Sequence, residues 1–401
     1  MKKHLIAAAV AGAFAVPVMA QVTISGAFDI QGYNSFKENR TTAAATSTAK
    51  RNGTGGSTGT TVGGWTDSQL VFQATEDLGG GLKILGNFSQ RFTNDGNWGG
   101  DREKWFDLAG GFGSIRFGRF APTVANFGGY GNNGTTNTVG HPVHFSLGGR
   151  TDAAGTGGSV QVFAGAGANS VGSYHRNNGT VQWTTPNING FVATLSLGQS
   201  SVDLSDANQG KTKASQHGVT LNYAAGPLSV GAGHAKRKTE TEAVAAVAPV
   251  VPAVGPPAVI GVLGSAAVAN STAKGDTSYV GGRYDFGAAA VTFAHAQRED
   301  SGGNVGAAQA RSIDAKINSI GVTVPLGALT LMGSMYDGRD ERTIEAGDER
   351  KMSGHQLSAH YALSKRTVIY AVTGKQDLKN RGGAAFQRKH TESNVGLRHS
   401  F

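Results

Sequence analysis

From Gln21 onward the chain is divided by connections of two sizes that alternate strictly. Tight turns recur at Asp77-Leu78-Gly79-Gly80-Gly81, Gly110-Gly111-Phe112-Gly113 and Pro186-Asn187-Ile188-Asn189-Gly190. They continue at Ala225-Gly226-Pro227, Phe286-Gly287-Ala288, Pro325-Leu326-Gly327 and Leu363-Ser364-Lys365-Arg366. Longer polar stretches, rich in Gly, Asn, Ser and Thr, intervene at about 35–63, 93–101, 122–173, 200–213, 237–274, 300–312, 337–350 and 378–388. The segments between have period two. Val22, Ile24, Phe28 and Ile30 alternate with Thr23, Ser25, Asp29 and Gln31; Phe191, Ala193, Leu195 and Leu197 alternate with Val192, Thr194 and Ser196. One face of each segment therefore meets an apolar medium and the other meets water or polar groups. Short turns at one end and long loops at the other are what a membrane-spanning β-barrel requires.

Counting segments gives sixteen strands, starting near 22, 64, 82, 102, 114, 174, 190, 214, 228, 276, 288, 313, 328, 351, 366 and 389. Proline placement tests this division. Beyond residue 20 every Pro (122, 142, 186, 227, 249, 252, 256, 257 and 325) lies in or at the edge of a turn or loop. Inside a closed barrel strand it would delete a ladder hydrogen bond that lipid cannot replace. Gly, 61 of 401 residues, argues against helices, where each costs about 1 kcal/mol relative to Ala. A secreted β-sandwich or β-helix shares the alternation. It does not explain the segregated connections, nor outward residues as small as Ala and Val, which lipid accepts without jigsaw fit. The expectation is one all-β domain, residues 21–401: a 16-stranded antiparallel transmembrane β-barrel with short periplasmic turns and long external loops.

Residues 1–20 read as a cleaved signal peptide: basic Lys2 and Lys3, an apolar Leu5–Val16 core, and the small-residue site Val18-Met19-Ala20. Its removal takes the net charge from +9 to +7. The uncharged Ala243–Asn270 stretch holds Pro249, Pro252, Pro256 and Pro257, which rule out a straight helical span and indicate a semi-extended external loop within 237–274. The protein is expected to be exported to the cell outer membrane.

Other chemistry finds little support. Without cysteine there is no thiol nucleophile, disulfide or thiolate metal site. Gly129-Tyr130-Gly131-Asn132-Asn133-Gly134 matches a dinucleotide fingerprint in letters only, since no βαβ unit surrounds it. His141 and His144 flank Pro142 and have no third ligand nearby, so no metal is expected. The cations are scattered without an aromatic platform, which argues against nucleic acid. No cofactor and no catalytic residue is assigned. An outer-membrane barrel enzyme with a rim triad, an adhesin and a substrate-specific channel remain alternatives to a general pore.

The chain resembles the general diffusion porins of Gram-negative bacteria, in the branch common among β-proteobacteria. The resemblance rests on Val22-Thr23-Ile24-Ser25-Gly26, Ala74 to Lys83 (ATEDLGGGLK) and Gly111 to Arg119 (GFGSIRFGR). Further anchors are Pro186 to Phe191, Tyr361 to Thr367 (YALSKRT) and the terminal Val395 to Phe401. It implies a homotrimer passing small hydrophilic solutes passively, with its third external loop, here 122–173, folded inward to narrow the lumen. It also implies lipopolysaccharide as surroundings, and the outer-membrane assembly machinery as the reader of Phe401 on the last amphipathic strand.

The resemblance further implies wall arginines facing the third loop. Arg102, opening the fourth strand, and Arg176, just after the third loop, stand at two such positions; at a third, before Leu70 and Phe72, this chain has Gln69 instead. By parity Lys83 and Arg91 point inward, opposite Ile84 and Phe88, and Lys104 shares the face of Arg102. Arg119 has the outward parity of Ile115 and Phe117, which in the family is a trimer contact holding a neighbour's second loop. Arg150 and Asp152 are the only charges of the third loop, so a strong transverse field is not expected. With few loop acids and a positive chain, a weak preference for anions follows.

Overall fold

The computed structural model describes residues 21–42, 46–54, 68–92, 98–121, 177–203, 211–242, 271–302, 313–342, 348–381 and 386–401. Among them are seventeen strands: β1 (Gln21–Thr42), β2 (Thr46–Thr54), β3 (Gln69–Gly79), β4 (Leu82–Phe92), β5 (Trp98–Gly110), β6 (Gly113–Phe120), β7 (Asn177–Thr184), β8 (Phe191–Asp203) and β9 (Lys211–Ala225). There follow β10 (Leu228–Thr241), β11 (Ser271–Asp285), β12 (Ala290–Gly302), β13 (Ile313–Leu326), β14 (Leu329–Arg342), β15 (Asp348–Ala362), β16 (Thr367–Arg381) and β17 (Phe386–Ser400). From β3 each strand pairs antiparallel with the next, and β17 returns to β1, from Ala27 opposite Ser400 to Thr42 opposite Phe386. The sheet closes on itself.

The ring nevertheless counts sixteen. On the side away from β17, β1 pairs first with β3 (Gln21 to Ala27) and then with β2 (Tyr33 to Thr41), so these two strands share one place in the wall. Much of the stretch read as a first long connection, 35–63, is thus a hairpin standing on β1. Phe36 is its one large apolar residue, so no apolar alternation marks it in the sequence, yet β17 supplies a ladder partner up to Thr42. Pro325 is the penultimate residue of β13, where its missing N–H falls at the strand's end.

Two faces follow from the period. Large apolar side chains (Ile24, Phe72, Phe106, Leu195, Leu221, Phe293, Met335, Leu357 and Leu397 among them) are exposed on the outside, while Asp29, Thr194, Gln216, Thr292, Gln356, His360 and Asn394 are buried inside. A water-soluble protein does the reverse; a wall between lipid and a polar lumen does this. At the short-turn end the outer face carries a girdle of aromatics: Trp183, Phe191, Tyr223, Tyr284, Phe286 and Tyr361, with Phe191 on Tyr223 and Tyr284 on Phe286 at centroid distances of 4.5 and 4.6 Å. The turns at this end carry Gly79, Gly80, Gly81, Gly113, Gly226, Gly287 and Gly327 at positive φ, as the Gly-rich turn chemistry predicts.

The seam is closed by close packing over glycine. Tyr370 on β16 lies across Gly396 of β17, where an added Cβ would collide with the phenol, and its hydroxyl donates to Asp29 Oδ1 on β1 at 2.7 Å. Tyr336 over Gly354 and Tyr279 over Gly233 repeat the arrangement on the inner wall. At the chain terminus Phe401 exchanges two backbone hydrogen bonds with Gly26, each 3.2 Å, and its ring rests 5.4 Å from that of Phe28.

Candidate functional site: the inner wall

The inner face of β3 to β6 gathers three of the sequence-predicted residues. Arg102 on β5 donates from Nη1 to Gln69 Oε1 on β3 at 2.8 Å, and Gln69 stands opposite Arg91 of β4. Arg102 reaches inward because β5 bulges. Lys104 pairs with Phe88 and Asp101 with Gln90, so Arg102 and Glu103 together face the single residue Ser89. The Ser89 hydroxyl accepts the Glu103 amide at 3.0 Å and fastens the bulge.

Below it the charges interlock. Trp105 Nε1 donates to Glu103 Oε2 at 3.1 Å; the Arg116 guanidinium lies 3.8 Å from the Trp105 ring centroid and donates through Nη2 and Nε to Asp107 Oδ2 at 2.7 and 3.2 Å. Asp107 is buried, while Arg116 keeps 30% of its side-chain surface accessible. The planar guanidinium stacks on the indole and bonds the carboxylate edge-on, a geometry an ammonium cannot reproduce. Arg116 is thereby held as a fixed cation on the wall.

Lys104 corrects the sequence reading. It was expected on the face of Arg102, but its ammonium lies 5.2 Å from the ring centroid of outward-facing Phe88, and in register it opposes Arg119. The extra residue of the bulge breaks the parity between 102 and 104. Arg119 shares the outer face with Phe117, as its parity predicts. Lys83 is the second residue of β4, opposite Asp77 and just past the Gly79–Gly81 turn, which puts it at the short-turn end and away from the Arg102 group. Arg176, Asp152, the loop 122–173, the stretch 243–270 and residues 1–20 lie outside the described residues.

Further charges line the wall that sequence reading did not single out. Arg298 on β12 is 3% exposed; Arg398 on β17 stands opposite Asp29; Arg237 on β10 and Arg283 on β11 share the inner parity of Ala235 and Tyr279. Counting in twos from an outward neighbour, such as Leu397 beside Arg398, would have found each of them. Arg283 bonds Asp285 at 3.0 Å at the short-turn end. The wall is not polar throughout: Ala296, Ile317, Met352 and Leu378 line up across β12, β13, β15 and β16 and are buried. No group of three His, Asp or Glu suited to a metal occurs among the described residues. What the arrangement offers is a hydrophilic passage with fixed charges of both signs, arginine prominent among them.

A family model of Gram-negative porins matches residues 7–381. Outer membrane porin protein 32 of Delftia acidovorans is 28% identical over the full length of both chains. Major outer membrane protein P.IB of Neisseria meningitidis serogroup B is 34% identical over 32% of this chain and 36% of its own. Among solved structures, the anion-selective porin from Comamonas acidovorans superposes with a TM-score of 0.64 over 96% of this chain and all of its own, at 23% identity. The trimer form of OmpT of Vibrio cholerae gives 0.57 over 95% and 99%, at 15% identity.

Proposed function

This chain belongs to the Gram-negative porin family, and from that premise we propose that it is a diffusion channel of the outer membrane, passing small hydrophilic solutes and ions with a weak preference for anions. The observation that carries the preference is the set of arginines on the inner face: Arg91, Arg102, Arg116, Arg298 and Arg398, on five strands of the wall. Fixed cations in a narrow aqueous lumen raise the local concentration of anions, and their field is least screened where walls of low dielectric constant confine it. The relative from Comamonas acidovorans that shares the fold is described as anion-selective, which agrees with this reading.

In this reading residues 1–20 are removed on export, the loop 122–173 narrows the lumen beside Arg102 and Arg176, and Asp152 is a minor counter-charge there. Three copies associate, with Arg119 and its outer-face neighbours at the subunit contact, and Phe401 is the strand-end signal for assembly. The deciding measurement is the reversal potential of single channels in a potassium chloride gradient. A sign showing chloride more permeant than potassium is expected; a potassium preference rejects the selectivity, and absence of current rejects the channel.

A further inference from the structure

One side of the inner wall is lined by apolar side chains, although the lumen around it is polar. In register they form a single row across β11 to β16: Tyr279, Ala296, Ile317, Gly338, Met352 and Leu378. The row is covered. Ile317 is 0% exposed, Met352 2% and Leu378 1%. The four nearest neighbours of Ile317 in the wall, Ala296, Gly338, Ala315 and Ser319, are too short to reach over it. The far wall is no help, since sixteen strands about 4.8 Å apart and tilted by about 40° set it on the order of 30 Å away. A cover must come from chain inside the lumen.

Two internal stretches outside the described residues are long enough to supply it, 122–176 and 243–270. The first returns to the wall at β7, six strands round the ring from Ile317 on β13, and is rich in Gly, Asn, Ser and Thr. The second leaves at the end of β10 and returns at the start of β11, the strand that carries Tyr279. Of its 28 residues only Ser265 and Asn270 are other than Ala, Val, Leu, Ile, Pro or Gly, and none is charged. Left in water, so long an apolar stretch invites association. Its length suffices. Tyr279 lies eight residues along β11 from Ser271, about 26 Å, and Ile317 two strands further, about 10 Å. Half of the stretch, semi-extended at about 3.1 Å per residue, reaches about 43 Å. Beside the row, the hydroxyls of Thr277 and Ser319 are buried without a hydrogen-bond partner among the described residues, as an apolar cover leaves them.

We propose that residues 243–270 turn back into the barrel and lie as a fixed filling against this row, their Ala and Val side chains on Ile317, Met352 and Leu378. The prolines suit the place: with no N–H at 249, 252, 256 and 257, fewer backbone donors need partners away from water. The β11 to β16 side of the lumen is then occupied, and solutes pass on the β3 to β6 side, by Arg91, Arg102 and Arg116. That consequence rests on the reading of the barrel as a diffusion channel; the contact itself does not.

The test uses the full-length protein in detergent, made with photo-methionine. Irradiation links the side chain at 352 to whatever covers it. Trypsin, cutting after Lys238, Lys274, Lys351 and Lys365, then releases fragment 352–365 and fragment 239–274, which holds the whole stretch. An adduct of these two within one chain is expected. An adduct of 352–365 with fragments from 122–176, a covalent dimer of two chains, or no adduct overturns the site. The second readout is a variant in which residues 244–269 are replaced by a short Gly-Ser link, its folded state checked by mobility on an unheated gel. Its single-channel conductance should rise about twofold, since current follows the open width of the pore; an unchanged conductance overturns the filling. A native protein that gives the adduct yet passes no current rejects the diffusion reading and leaves the contact standing.

Discussion

The Tyr370 hydroxyl and the Asp29 carboxylate are 341 residues apart in the chain and 2.7 Å apart in space. They connect β16 to β1 across β17, and the phenol can make this span only because residue 396 is Gly. The bond is buried and its acceptor is a carboxylate. Asp29 also stands opposite Arg398, so the first, last and penultimate strands meet at one polar cluster.

Tyr370→Phe should therefore lower stability by about 1.5–3 kcal/mol, the usual worth of a hydrogen bond to a charged group. Urea unfolding in lipid vesicles, followed by the gel mobility of the folded barrel, measures it. Single-channel conductance should stay within a small margin of native, because the phenyl ring still covers Gly396.

Arg102 and Gln69 should control selectivity together. Arg102→Ala removes a fixed cation from the wall and should shift the reversal potential towards cations. Gln69→Glu sets a carboxylate against both Arg91 and Arg102 and should shift it further the same way. Unchanged reversal potentials in both would clear this cluster of any role.

Lys104→Ala provides the contrast. Its ammonium lies beside Phe88 on the outer face, so ion selectivity should not move. A shift as large as that of Arg102→Ala would mean that the bulge in β5 does not orient these two residues as described.

For Asp107→Asn, stability and selectivity should move in opposite senses. Loss of the carboxylate weakens two charge-assisted bonds from Arg116, costing about 1.5–3 kcal/mol. The guanidinium remains stacked on Trp105 with less negative charge beside it, so anion preference should rise in the same salt-gradient recording.

Phe401→Ala keeps the two backbone bonds to Gly26 but empties the space against Phe28 and over Gly26. Insertion yield into the outer membrane should fall several-fold, read as the ratio of the compact to the unfolded form on an unheated gel. An undiminished yield would leave the ring with a packing role alone.

Much of this architecture was legible in the sequence, and one end of it better than the other. Strand starts that follow short turns (82, 114, 190, 228, 288, 328 and 366) fall within two residues of those observed, because Gly, Pro and Asn at those turns have a backbone job that few residues can do. Starts after long connections, 313 excepted, miss by three to five, as at 64, 102 and 276. Most of those strands, β5, β9, β11, β15 and β17, start earlier than read, in polar sequence where period two leaves no mark. The inner wall was legible where strands are regular, as at Arg91 and Gln69. It was not legible at Lys104, since a bulge has no residue signature in Asp101-Arg102-Glu103, nor at the Tyr370–Asp29 contact, whose partners sit at opposite ends of the chain.

That bulge has a consequence for how such a wall can change. A regular strand offers the lumen one residue in two, so the sign of charge at each level is a choice between a cation and an anion. By fitting Arg102 and Glu103 opposite Ser89 alone, β5 offers both at once. Deleting either residue would straighten the strand and leave the other in place, turning the level wholly negative or wholly positive. At this point of the channel, polarity is written in the length of the chain, and a three-nucleotide deletion could reverse it while every neighbouring side chain stays as it is.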